Sequence, residues 1–297
     1  TSFLIFFTLT VFAQKKVLDH KDFEIWNAIK NQSISPDGNF IMYSLEKGEK
    51  NSHLKIRNEK ATVVFEHERS EKGQFTYSSE FALITIKHWK DSIKELKRKK
   101  VKKDKLPKDS IGIYNLSTKS FDKIGNIKSY KIPEKWSGYV GYLLEAIPVV
   151  KKEKDTTKTE SKKKTKAKKV GKDNGNHLVV RNLISKKQDT FKYVTNYIFA
   201  RDAKILAFTT TGKDSIIEPG VYVLNLENNN LRQVFEAKKA KYFQLNLSET
   251  GENLGFVVDT DTTKVQVRPN ELYLWSEEKG KAIKLVDAVS APKGFRV

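Results

Sequence analysis

Short stretches of alternating apolar and polar residues, each introduced by a polar turn, recur along the chain and predict β-strands rather than helices. The clearest is Ser35-Pro36-Asp37-Gly38 followed by Asn39-Phe40-Ile41-Met42-Tyr43-Ser44. Proline presets φ at the second turn position, aspartate bonds its own backbone and glycine accepts positive φ, so the turn is specified chemically. Weaker copies start at Ser78-Ser79-Glu80, Trp136-Ser137-Gly138, Ala200-Arg201-Asp202 and Ser248-Glu249-Thr250-Gly251. After each comes a second strand ending in a polar turn, at 53–58, 111–116, 177–183, 221–226 and 271–276. Another short apolar strand then returns, as at 62–65, 231–235 and 282–286.

Four antiparallel strands at a period of roughly 40 to 50 residues predict an all-β fold, a β-propeller of four-stranded blades with about five blades present and incomplete. The turns lie near positions 37, 80, 138, 202 and 250, and the two longest gaps each hold a lysine-rich insertion, at 87–108 and 151–176. Both insertions fall between the second and third strands of a blade. Because antiparallel strands reverse direction each time, both are expected on one face of the disc.

Charge changes the picture only once it is located. The chain carries a net charge of +20, and 87–108 and 151–172 each hold eleven Lys/Arg against three acidic residues, so together they supply +16 of it. In the first run Trp89, Ile93 and Leu96 share one face of a short basic helix that Leu106-Pro107 is expected to stop. The second run is almost without apolar residues and is expected to be a disordered loop. Nucleic-acid binding is not expected, because stacking aromatics are not interleaved with the cations. The runs read as solvated insertions, with a specific anionic partner as the alternative.

Residues 1–13 form a short apolar run ending in Val11-Phe12-Ala13, which reads as a secretory signal peptide truncated at its start, with cleavage between Ala13 and Gln14; a buried first strand is the alternative. A periplasmic or secreted location follows, with no membrane attachment after signal removal. Residues 14–31 read as a lead-in helix bearing Phe23, Trp26 and Ile29, with Asp19 or Asp22 as N-cap, and 32–297 as the partial propeller. The chain has no cysteine, which excludes disulfides, a thiol nucleophile and thiolate metal sites.

The chemistry of a self-contained enzyme is not expected. No Gly-x-Ser-x-Gly elbow occurs, and the nearest approach, Ser137, sits in a blade turn. His20, His53, His67, His88 and His177 are scattered and read as surface or strand residues, and the loose group Asp259, Asp261, Glu277 and Glu278 lacks the spacing of a calcium loop. No catalytic residue, metal site or cofactor is assigned to this chain.

Taken together, the lead-in Asp19-His20-Lys21-Asp22-Phe23-Glu24-Ile25-Trp26-Asn27, the Ser35-Pro36-Asp37-Gly38 blade, the basic helix closing in Leu106-Pro107-Lys108-Asp109-Ser110-Ile111-Gly112-Ile113-Tyr114 and the lysine loop resemble the N-terminal propeller of exported prolyl oligopeptidase-family serine peptidases of Bacteroidetes type. The resemblance implies a C-terminal α/β-hydrolase domain with a Ser-Asp-His triad outside this chain, peptides as substrates, and a propeller that gates access to the nucleophile. Ser-Pro-Asp-Gly turns also mark the Tol-system propeller, which leaves a non-catalytic periplasmic protein-binding scaffold as the alternative. The oligomeric state is left open.

Overall fold

A computed structural model describes residues 19, 22, 26–146, 170, 174–213, 215, 217–261, 263, 267–295 and 297. Blade 1 is the antiparallel meander β1 (Ala28–Ile34), β2 (Phe40–Glu46), β3 (His53–Asn58) and β4 (Val63–Glu68). Blade 2 is β5 (Ser70–Phe75), β6 (Phe81–Ile86), β7 (Asp109–Asn115) and the first part of β8 (Phe121–Lys131). The rest of β8 opens blade 3, followed by β9 (Tyr139–Leu144), β10 (Asn176–Asn182) and the first part of β11 (Gln188–Phe199). Blade 4 continues with the end of β11, β12 (Ile205–Thr210), β13 (Gly220–Asn225) and β14 (Asn230–Glu236). Blade 5 is β15 (Lys241–Leu247), β16 (Asn253–Asp259), β17 (Glu271–Ser276) and β18 (Ile283–Val286). Four-stranded antiparallel units packed in chain order make this an all-β, propeller-type fold.

Blades 2 to 4 share strands. β8 pairs with β7 as far as Ile127 and with β9 from Ile127 onward, and β11 changes partner in the same way at Val194. Ten strands thus form one unbroken ladder, flanked by two separate four-stranded sheets. In every blade the innermost strand also slips register against its neighbour, between Lys30/Ser33, Ser70/Lys72, Ile127/Ser129, Val194/Asn196 and Phe243/Asn246. Bulges increase local twist, as strands crowded around an axis require.

The core is a series of apolar layers between successive blades. Met42, Leu54 and Ile56 meet Ala82, Ile84 and Ile86 between blades 1 and 2, and Phe81 and Leu83 meet Val140 and Val179 between blades 2 and 3. Leu178 and Val180 meet Leu206 and Phe208 in the next layer, and Val221 and Val223 meet Leu254 and Phe256 in the last. Successive residues of a strand point to opposite sheet faces, so β6 sends alternate side chains into two layers and all six of its residues are buried.

The turns before the second strands interlock around the face opposite the insertions. The Asp37 N–H donates to Ser79 Oγ at 3.1 Å, the Ser78 N–H to Ser137 Oγ at 2.7 Å, the Lys135 N–H to the Arg201 carbonyl at 3.2 Å, and the Asp202 N–H to the Glu249 carbonyl at 2.9 Å. Each of the first four turns therefore hands one backbone donor to the next blade.

Three boundaries differ from expectation. Strand β1 begins at Ala28, so the lead-in helix does not run to residue 31 and the propeller starts before residue 32; pairing of Ala28, Ile29 and Lys30 with Glu46, Leu45 and Ser44 overrides the three-residue spacing. Trp26 and Ile29 are exposed, and among the described residues of that segment the Asp22 carboxylate accepts the Asp19 N–H. The basic helix α1 (Lys90–Arg98) stops well before Leu106-Pro107, because no apolar residue at helical spacing follows Leu96 to hold another turn; Lys100 takes positive φ, and a 3-10 turn follows at Lys103–Lys105. Strand β10 starts at Asn176, inside the range of the second insertion. The signal segment with Ala13 and Gln14, and the core of the lysine loop, lie outside the described residues.

Candidate functional site

Both insertions leave the same face, as strand alternation predicts: α1 follows the end of β6, and the second insertion joins the end of β9 to the start of β10. Helix α1 is fastened to the loop between β2 and β3. The Lys90 N–H donates to Asn51 Oδ1 at 3.0 Å, Lys90 Nζ donates to the Lys50 carbonyl at 2.6 Å, Lys94 pairs with Glu49, and Arg69 lies 4.7 Å from the Trp89 ring centroid. The cations of its last turn and of the segment after it, Lys97, Arg98, Lys100, Lys102, Lys103 and Lys105, are exposed.

Two clefts open on this face. The first, of about 510 Å³, lies where the innermost strands β1, β5 and β8 converge. Its wall is dominated by neutral hydrogen-bonding groups such as Gln32, Ser33, Gln74, Ser110 and Ser129, and Ser33 Oγ is buried without a partner. Its mouth carries the Lys87–Asp109 ion pair at 2.6 Å. Burial raises the Tyr130 phenol above its ordinary range, so it stays a neutral donor.

The second cleft, of about 460 Å³, lies between blades 4 and 5. Asp259, at the end of β16, is buried; it accepts the Asp261 N–H at 2.9 Å and stands 3.6 Å from the Arg268 guanidinium. Asp261 accepts the Thr263 N–H at 2.7 Å and the Thr263 hydroxyl at 2.8 Å, and these bonds hold its carboxyl below the usual range. Arg268 also donates to the carbonyls of Asp261 and Thr263. Lys238, Lys239 and Lys241 stand exposed around the opening.

The structure does not unite the four acidic residues of the sequence group. Asp259 and Asp261 lie at one end of β16, whereas Glu277 and Glu278 occupy the 3-10 turn Glu277–Lys279 beyond β17, at the opposite end of the blade, where Glu277 pairs with Arg232 at 3.4 Å. Among the described residues no group of His, Cys, Asp or Glu could hold a metal ion. Ser137 accepts a backbone bond in the turn series, and His67 packs against Phe65 and Phe121 with Nδ1 3.0 Å from Ser70 Oγ. His53 lies on β3 and His177 on β10; His88 follows β6, and His20 lies outside the described residues. Sequence reasoning missed both clefts, since their walls come from strands far apart in the chain. The Lys238-Lys239-Ala240-Lys241 run was the one local signal for the second.

Neither a protein-family profile nor a curated protein matches this chain. Solved structures similar to it include the propeller domain of the trilobed protease from Pyrococcus furiosus, at 14% identity and TM-score 0.45, covering 90% of this chain and 72% of that one. Acylaminoacyl peptidase from Pyrococcus horikoshii is similar at 13% identity and TM-score 0.44, covering 91% of this chain and 41% of that one. TolB from Acinetobacter baumannii is similar at 10% identity and TM-score 0.36, covering 89% of this chain and 55% of that one.

Proposed function

We propose that this chain is the substrate-gating propeller of an exported, periplasmic or secreted serine peptidase of the prolyl oligopeptidase family. Its partners in that reading are peptide substrates and a C-terminal α/β-hydrolase domain of the same protein. The observation that carries the reading is positional. A propeller opening with Ser35-Pro36-Asp37-Gly38 bears both basic insertions at equivalent blade positions on one face, in the order that characterises the family resemblance. The nucleophile, base and oxyanion hole of acyl transfer belong to the other domain. The propeller contributes exclusion: a disc with narrow clefts admits an extended chain and turns away a folded one.

The test uses the full-length protein, a serine-reactive probe and fluorogenic peptides. Labelling of one serine, turnover of peptides and resistance of a folded protein substrate are the expected results. Full-length protein that takes no label and cleaves nothing would leave the scaffold reading, which the Tol-like turn motif favours. Residues 14–297 alone are expected to hydrolyse no peptide.

A further inference from the structure

The cleft between blades 4 and 5 has an unbalanced set of hydrogen-bonding groups. Its two carboxylates are already engaged, Asp259 by the Asp261 N–H and Arg268, and Asp261 by the Thr263 N–H and hydroxyl. Its threonines are engaged as well: Thr195 Oγ1 lies 2.7 Å from Thr209 Oγ1, and Thr211 Oγ1 donates to the Asn174 carbonyl at 2.9 Å. Among the described residues, the lining side chains left without a partner are three ammonium groups and a phenol. Lys238, Lys239 and Lys241 enter no ion pair among the described residues, and the hydroxyl of Tyr242, which also lines the cleft, is buried without a partner. A buried neutral hydroxyl with no acceptor is costly, and an acceptor that relieves it is favoured.

We propose that this cleft binds a carboxylate, with the three lysines supplying the positive field and the Tyr242 O–H a directional bond. A carboxylate suits the site better than a phosphate dianion, because Asp259 and Asp261 stand in the same wall and would repel a second ligand charge. Phe243, 46% exposed and also in the lining, offers apolar surface beside the charge. The ligand is therefore an apolar group carrying a carboxylate, either the last residue of a peptide or a free small organic acid. The peptide source rests on the proposed peptidase function; the carboxylate site does not.

The experiment is equilibrium binding to the full-length protein after treatment with a serine-reactive reagent. Its probes are a fluorescent peptide ending in leucine with a free carboxylate, its C-terminal amide, 4-methylpentanoate as competitor, and inorganic phosphate. The free-acid peptide is expected to bind at least tenfold more tightly than the amide. The triple substitution Lys238→Gln, Lys239→Gln, Lys241→Gln is expected to remove that preference, and Tyr242→Phe to weaken binding severalfold with circular dichroism unchanged. Competition by 4-methylpentanoate at the peptide's own affinity supports the site and assigns it to free acids. Equal binding of acid and amide, phosphate competing as well as carboxylate, unchanged affinity in the lysine variant, or no saturable binding would each overturn the inference. Peptide turnover by untreated protein is scored separately: turnover without carboxylate preference sinks this site alone, and carboxylate binding without turnover sinks only the peptidase reading.

Discussion

Close contacts decide what individual residues are for. At Gly141 an added Cβ would meet Tyr197 Cε2 at 2.7 Å, while the Tyr197 hydroxyl donates to the Gly141 carbonyl at 2.7 Å. Gly141→Ala is expected to destabilise by about 1–3 kcal/mol in a urea titration, as overpacking does in well-filled cores. Phe208 sits 4.7 Å from the Phe191 centroid and 5.4 Å from that of Tyr222, so Phe208→Ala should cost about 3–5 kcal/mol by the same measurement. His67 gives a pH dependence. Burial, reinforced by the charges of Arg69, Lys123 and His53, lowers its affinity for protons despite an opposing hydrogen bond at Glu68. An unfolded histidine protonates near pH 6.5, so just below that pH the unfolded state binds more protons and gains on the folded one. This stabilising contribution is full above about pH 6.5 and declines as pH falls through the folded value. Plotted against pH, Tm should fall in that window and flatten in His67→Gln. A Tm that rises on acidification through the window would contradict it.

Strands with their own turn and alternation were legible in the sequence: 53–58 and 271–276 coincide with β3 and β17. The fused strands were not. Phe121–Lys131 carries Gly125-Asn126 just before its change of partner at Ile127, and Asn126 takes positive φ, whereas in Gln188–Phe199 the positive φ before the change at Val194 falls on Tyr193, with no glycine or proline to mark it. The bulges of the innermost strands were hidden for a related reason, since they answer to crowding around the axis rather than to local propensity. Helix α1 was visible as Trp89, Ile93 and Leu96, but its stop depended on where apolar support ended. Because α1 buries no residue completely, replacing 90–105 with a short Gly-Ser linker should shift Tm by only about 1–2 °C, on the scale of a few tenths of a kcal/mol. A larger loss would mean that the contacts with Asn51 and Glu49 support blade 1.

At the scale of the molecule, alternation and antiparallel reversal made the fold and the shared face of the insertions readable, whereas the clefts required the five blades to be assembled first. The assembled chain has one property that no single blade possesses. Ladder hydrogen bonds run without interruption from β5 to β14 and stop at two places, near Arg69 and across 237–240. At those two seams the outer blades are held to the ten-stranded sheet by an apolar layer and a few turn bonds rather than by ladder pairing. Hydrogen exchange should therefore show amides of β6 to β13 exchanging together and slowest, with β1 to β4 and β15 to β18 opening as separate, less stable units. The carboxylate cleft straddles the second seam, with Thr195 and Thr211 on one side and Tyr242 and Asp259 on the other. A ligand seated there would act as a clasp, bridging the seam and slowing exchange in β15 and β16.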